Sequence, residues 1–202
     1  MRTMALFSRK KADGPEPSEL LLVHLNARMQ PTHRGRVFED PLDEHLRQIG
    51  LNASVTGGGT QLTADGEPES CDIELLVSSD DLAATVEATG AFLEERRAPK
   101  GSVIQNEEGA DLRRFGTAEG LALYLNGTDL PPEVYASSDV NEIVATVRTT
   151  LGAAGDMLSH WRGPSDTALY LYGPDAEVMR ELLEPLLESR PDTQLSRLER
   201  IA

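Results

Sequence analysis

Apolar residues fall in short runs separated by Gly-, Pro- and Asp-containing breaks, and the period inside each run sorts the chain into strands and helices. ELLLVHLNA (19–27) and CDIELLV (71–77) are apolar runs of strand length flanked by turn residues. Between them, Asp40 followed by Pro41 reads as a helix N-cap with proline at the first helical position, and Gly50 as the stop. The SVTGGGTQL stretch adds short β-type pieces around Gly57, Gly58 and Gly59, which read as a flexible hairpin or bulge. Ser78, Ser79 and Asp80 predict the cap of a helix whose stripe is Leu82, Val86, Phe92 and Leu93, ended by Pro99 and Gly101. SVIQ (102–105) then supplies a strand. The order over 19–107 is strand, helix, strand, strand, helix, strand.

The second half spells the same order. EGLALYLNG is a strand, and TDLPPEVYASSD a loop ending in the N-cap Asp139. Ile143, Val144, Val147 and Leu151 mark a helix closing at Gly152. DMLSHWRG and TALYLYG, split by GPSD, read as a hairpin. Asp175 caps a helix with Val178, Met179, Leu182, Leu183, Leu186 and Leu187 on one face, interrupted by Pro185, and TQLSRLERI closes with a strand. The pattern predicts an α+β protein of two tandem ferredoxin-like (βαββαβ) repeats, each with an antiparallel-containing sheet covered by helices on one face. Its divisions are a disordered leader (1–18), a first repeat (19–107), a linker (108–117) and a second repeat (118–202).

One local likeness stands out. ALYLNGTD (122–129) and ALYLYGPD (168–175) share six of eight letters in a chain with four tyrosines. Under the repeat assignment they are the first and third strands of the second unit, central neighbours that need the same apolar packing. The expectation is that they run parallel, which would bring the corners after Asn126 and Tyr172 to one sheet edge, where α/β sheets often bind ligands.

Charge narrows the partners. The 202 residues hold 34 acidic and 19 basic side chains, a net −15, so phosphate backbones and anionic membranes are repelled. Aromatic residues are 4%, too few for base-stacking platforms. No apolar run reaches the length of a membrane span or a signal sequence, which predicts a cytoplasmic protein. The single Cys71 forms no internal disulfide and reads as a packed thiol.

Candidate chemistry is sparse. The glycine run lacks the following helix and lysine of a phosphate loop, and His24, His33, His45 and His160 show no metal-ligand spacing. Asp40, Asp43, Glu44 and His45 read as a solvated first turn. No GxSxG occurs, and the many carboxylates of so acidic a chain do not single out a catalytic pair. No cofactor, metal or catalytic group is therefore expected.

Binding outranks catalysis on this reading. Between 117 and 192 there are thirteen acidic and four basic residues, and the loop 126–139 is stiffened by Pro131 and Pro132. Its Asn126, Asp129, Glu133, Tyr135 and Asp139, with Trp161, Tyr172 and Asp175, form the expected binding surface. A rigid acidic loop with an aromatic anchor suits a basic protein partner, in the manner of an inhibitor or immunity-type module. The alternative is a small-molecule-binding regulatory (sensor) protein using clefts between the repeats. Edge strands leave an opening for homo-oligomers.

Overall fold

The alternation of β1 (Ser18–Leu25) sends Leu21, Val23 and Leu25 into the core and leaves Leu20, Leu22 and His24 on the opposite face. β1 is the first element of a computed structural model that describes residues 18–202. The expected leader, apart from Ser18, lies outside the described residues.

Past Gln30 the backbone turns helical earlier than the sequence suggests. α1 (Pro31–Arg34) passes through a π turn (Gly35–Glu39) into α2 (Asp40–Gln48) without a break. Asp40 has helical dihedrals, φ −59° and ψ −46°, so the expected N-cap is corrected: Pro31 occupies the first turn instead. Pro41 then sits inside the run, where its missing N–H orphans the carbonyl four residues back. That carbonyl, Val37 O, accepts from Arg96 Nη1 at 3.4 Å, and the wider π turn makes room for the ring. Arg34, Phe38, Leu42 and Leu46 are buried at every fourth position.

The glycine run lies in a strand, β2 (Ala53–Leu62), with a bulge after Val55. Gly58 packs beneath the Arg34–Glu39 pair (2.6 Å), and a Cβ there would stand 2.3 Å from Asp72 O. Arg34 Nη1 also donates to Gly59 O (2.6 Å) and Thr60 Oγ1 (2.7 Å). The run serves a close approach of helix to sheet.

β3 (Pro68–Ser78), α3 (Leu82–Glu95) and β4 (Ser102–Asn106) follow in the expected order. The expected cap of α3 is corrected: a 3-10 turn (Ser79–Asp81) precedes the helix, and its N-cap Asp81 accepts from Asn52 N (2.7 Å) instead of a helix amide. The stretch read as a linker contains a further strand, β5 (Asp111–Phe115). Arg113 of that strand crosses Gly90 of α3 and reaches Glu87 at 2.7 Å, which ties the segment to the helix. The first sheet has the order β2-β3-β1-β4-β5, all antiparallel.

The second sheet is built from β6 (Glu119–Asn126), β7 (Asp156–Arg162), β8 (Asp166–Gly173) and β9 (Arg197–Arg200), in the order β7-β8-β6-β9. α4 (Pro132–Ser137) and α5 (Val140–Leu151) link β6 to β7, and α6 (Ala176–Ser189) links β8 to β9. Asp139 and Asp175 cap α5 and α6 as the sequence indicates, Asp139 accepting from Asn141 N and Asp175 from Glu177 N and Val178 N. Pro185 stands inside α6.

β6 and β8 are central neighbours, but they are antiparallel, with Asn126 opposite Asp166 and Glu119 opposite Gly173. The expected parallel pairing is corrected. The hairpin from β7 to β8 reverses the chain once more after the helical crossover, so the third strand of each half must oppose the first. Consequently the corners after Asn126 and Tyr172 lie at opposite ends of the sheet.

Two apolar clusters account for the packing. Leu121, Leu123, Leu125, Leu169 and Leu171 meet Ile143, Val147 and Leu183 of the covering helices. The other face of the same strands, with Ala122, Tyr124, Ala168, Tyr170 and Tyr172, joins the core of the first half. The second sheet is thus packed on both sides. Cys71 lies in that shared core, and burial pushes its thiol up to about 12. Native protein at pH 8 should therefore leave Cys71 unmodified by a thiol-reactive dye, whereas denatured protein takes up one equivalent. No helix among the described residues is long and apolar enough to cross a membrane.

Candidate functional site

The residues singled out from sequence divide into three places. Asn126, Asp129 and Tyr135 form one knot: Asn126 Nδ2 donates to Asp129 (2.9 Å), Tyr135 OH donates to Asn126 Oδ1 (3.0 Å), and Leu130 N donates to Tyr135 OH (3.0 Å). Glu133 stands exposed on α4, and Asp139 is engaged as the cap of α5. Tyr172 and Asp175 are at the far end of the sheet, Tyr172 fully buried and Asp175 capping α6. Trp161 lies on β7 opposite Ala168, packed against the shared core and over Gly163. The loop's polar groups mostly serve its own shape.

The tyrosines of the two ALYL segments instead clamp the halves together. Glu67, in the turn between β2 and β3, receives Arg28 Nη1 (2.6 Å), Tyr124 OH (2.6 Å) and Tyr170 OH (2.9 Å) on a single oxygen. Arg28 N donates to Tyr172 OH at 2.7 Å. Burial, then the hydrogen bond to Glu67, raises the Tyr124 and Tyr170 phenols well above the usual range, so both stay protonated donors. Tyr172 is raised likewise by burial.

Beside this clamp a cleft of about 580 Å³ opens between the halves. The first half contributes His33 of α1 and Arg36 of the π turn. The second contributes Arg148 of α5, and Ser159, His160 and Arg162 of β7. Val140, Val144, Met157 and Leu169 make the apolar part of the wall. Not one Asp or Glu lines it, while each of the three other described cavities includes a carboxylate.

The arginines of this cleft differ from most others in the molecule. Arg28, Arg34, Arg97, Arg113, Arg190 and Arg197 each pair with a carboxylate within 3.3 Å. Among the described residues, Arg36, Arg148 and Arg162 have no such partner. They are exposed and share the opening.

The histidines are held in place. The rings of His33 and His160 lie 4.7 Å apart, tilted by 52°. Ser159 Oγ, 1% exposed, accepts from Gln30 N (3.2 Å) and sits 2.8 Å from His33 Nδ1. In the neutral tautomer that carries its proton on Nε2, His33 Nδ1 accepts the buried hydroxyl's proton and Nε2–H is free to donate. Gln30 Nε2 completes the seam by donating to His160 O at 2.7 Å. Burial first, then the charges of His160 and Arg36, lower the pKa of His33 below its ordinary 6.5. The cleft is electropositive in a protein of net charge −15.

Sequence reasoning missed this set because its members come from three distant segments. One signal was present: residues 20–38, 143–155 and 157–165 contain no acidic residue in a chain that has 34 of them. Among the described residues no cluster of His, Cys, Asp and Glu is arranged to hold a metal ion.

No family model matches the chain, and no curated protein matches it. Solved structures similar to it include an unknown protein from Galdieria sulphuraria, 14% identical, covering 92% of this chain and 100% of that one with a TM-score of 0.33. The regulatory subunit of aspartate kinase from Thermus flavus is 15% identical over 86% of this chain and 94% of its own, with a TM-score of 0.27. The Thermus thermophilus regulatory subunit, ligand-free, is 13% identical over 85% and 92%, with a TM-score of 0.29. Superposition this loose carries no functional argument. The site has to be read from its own geometry.

Proposed function

We propose that the protein is a small-molecule-binding regulatory protein, a sensor whose ligand occupies the cleft between its two halves. One observation carries this reading: a cleft of about 580 Å³, within the ~300–1,000 Å³ usual for small-molecule sites, has walls from both halves and both apolar and polar lining. A ligand that touches both walls changes the balance between arrangements of the halves, which is the physical basis of a regulatory response. The common order of strands, third beside first in each sheet, supports treating the halves as two ferredoxin-like repeats with the cleft at their seam. The acidic loop 126–139 is the weaker candidate, because Asn126, Asp129, Tyr135 and Asp139 already satisfy one another or the backbone.

A thermal-shift screen with a metabolite library tests the reading. A ligand at one hundred times its Kd adds about 2.7 kcal/mol of stability, which appears as a rise in Tm of several degrees. Val144→Trp, which fills the cleft wall without adding a charge, should abolish that rise. Absence of any stabilising compound, together with a salt-sensitive complex with a basic protein that is lost in Asp129→Lys and Glu133→Lys, would overturn it in favour of the loop.

A further inference from the structure

We propose that the ligand of this cleft is a small organic dianion, a phosphate monoester or a dicarboxylate, gripped by Arg36, Arg148 and Arg162. The inference rests on the cleft being a ligand site and names the chemistry that fits it. Three guanidinium groups and two imidazoles line the cavity with no carboxylate among them. Elsewhere among the described residues only Arg47 and Arg96 lack a carboxylate partner, so three of the five unpaired arginines share this one opening.

Three unneutralised cations around one opening repel one another, and an anion between them removes that repulsion. Guanidinium forks match carboxylate and phosphate oxygens two bonds at a time. In the tautomer that accepts from Ser159 at Nδ1, His33 adds its Nε2–H as a donor. The apolar wall of Val140, Val144, Met157 and Leu169 accommodates a short carbon skeleton behind the charged head. Polyanions are excluded by the rest of the surface: at net −15 the protein repels a nucleic-acid backbone, while a single small dianion feels mainly the charges within a Debye length of about 8 Å.

Binding is linked to protons. His33 faces Ser159 and His160 of β7, Arg36 along its own helical run, and a cavity shared with Arg148 of α5 and Arg162 of β7, all neutral or cationic. Burial, then His160 and Arg36, hold its pKa below 6.5. A bound dianion reverses the sign of the field and raises it. Affinity should therefore grow as pH falls from about 8 to 6 and weaken as pH rises.

Isothermal titration of the full chain with sulfate, inorganic phosphate and malonate at constant ionic strength tests the proposal, with chloride as the control. Sulfate is the probe for pH, since it stays a dianion throughout. The expected result is one site per chain, absent for chloride, weakened on the order of 10–100-fold in each of Arg36→Gln, Arg148→Gln and Arg162→Gln. These side chains are exposed and make no ion pair among the described residues, so the variants should fold. Arg47→Gln, which removes an exposed guanidinium of α2 that also lacks an ion pair but lies outside the cleft, should bind sulfate as wild type does. The His33 ring resonances should titrate at higher pH with sulfate present.

Equal sulfate affinity in wild type and the three arginine variants would sink the proposal. So would binding of an uncharged or cationic library compound, blocked by Val144→Trp, with no response to the three dianions; that outcome removes the dianion and keeps the cleft. If nothing binds, or if Val144→Trp leaves every ligand response unchanged, both readings fall together.

Discussion

Replacing Glu67 with alanine is expected to destabilise the protein by about 3–5 kcal/mol, the range for removing one partner of a buried, hydrogen-bonded charge pair. Its carboxylate accepts three hydrogen bonds on one oxygen, from Arg28, Tyr124 and Tyr170. Neither member of the ion pair is freely solvated, with side-chain exposures of 23% for Arg28 and 17% for Glu67. Alanine at 67 strands a guanidinium and two phenol donors where the second sheet packs on the first half. Glu67→Gln should be milder, because the amide oxygen still accepts while the charge attraction is gone. Urea denaturation measures both, and a loss below about 1 kcal/mol for Glu67→Ala would show that the clamp adds little to the joint.

Gly116→Ala should cost about 2–5 kcal/mol through two separate causes. Gly116 has φ +96°, which an L side chain adopts at a cost of about 1–2 kcal/mol. A Cβ there would also stand 1.9 Å from Pro99 O and 2.6 Å from its carbonyl carbon, and overpacking against rigid backbone adds about 1–3 kcal/mol. The neighbourhood is the joint between β5 and β6, where Thr117 N and Ala118 N both donate to Ala98 O and Lys100 N donates to Ala118 O. Gly109→Ala separates the causes: its φ is +79°, but nothing lies within 4 Å of the added carbon. Chemical denaturation of both variants should show the Gly116 change costing more by the clash alone. Equal losses would mean that the chain at 116 shifts freely and that the joint is not tight.

The positions of the tyrosines show how far sequence periodicity reaches. Alternation in ALYLN and ALYLY correctly makes them buried, central, adjacent strands. It says nothing of direction, which follows from counting chain reversals through the helical crossover and the hairpin. Direction decides that Asn126 and Tyr172 end up at opposite ends of the sheet, and so dissolves the ligand crevice expected between their corners. Nor does alternation reveal what faces Tyr124 and Tyr170. Glu67 and Arg28 lie 57 and 96 positions from Tyr124, and only tertiary packing brings them to its hydroxyl.

Helix boundaries show the same division. Asp139 and Asp175 are legible as caps because a cap acts on amides two or three residues away. Asp40–Pro41 has the same letters of a helix start, yet lies inside a helical run, since Arg96 from a distant helix end takes the carbonyl that proline leaves unpaired. A local rule fails where a remote donor replaces the local one.

By itself the sequence determined the main strands and helices of both halves and their order, the net acidic charge and the lack of local catalytic motifs, because each depends on spacing within a few residues or on totals. It missed α1, α4 and β5, whose residues read as loop or linker. Tertiary structure alone decided the site. Arg36, Arg148 and Arg162 look like three unrelated surface charges along the chain; folding brings them to one cleft, and charge–charge energies depend on distance in space.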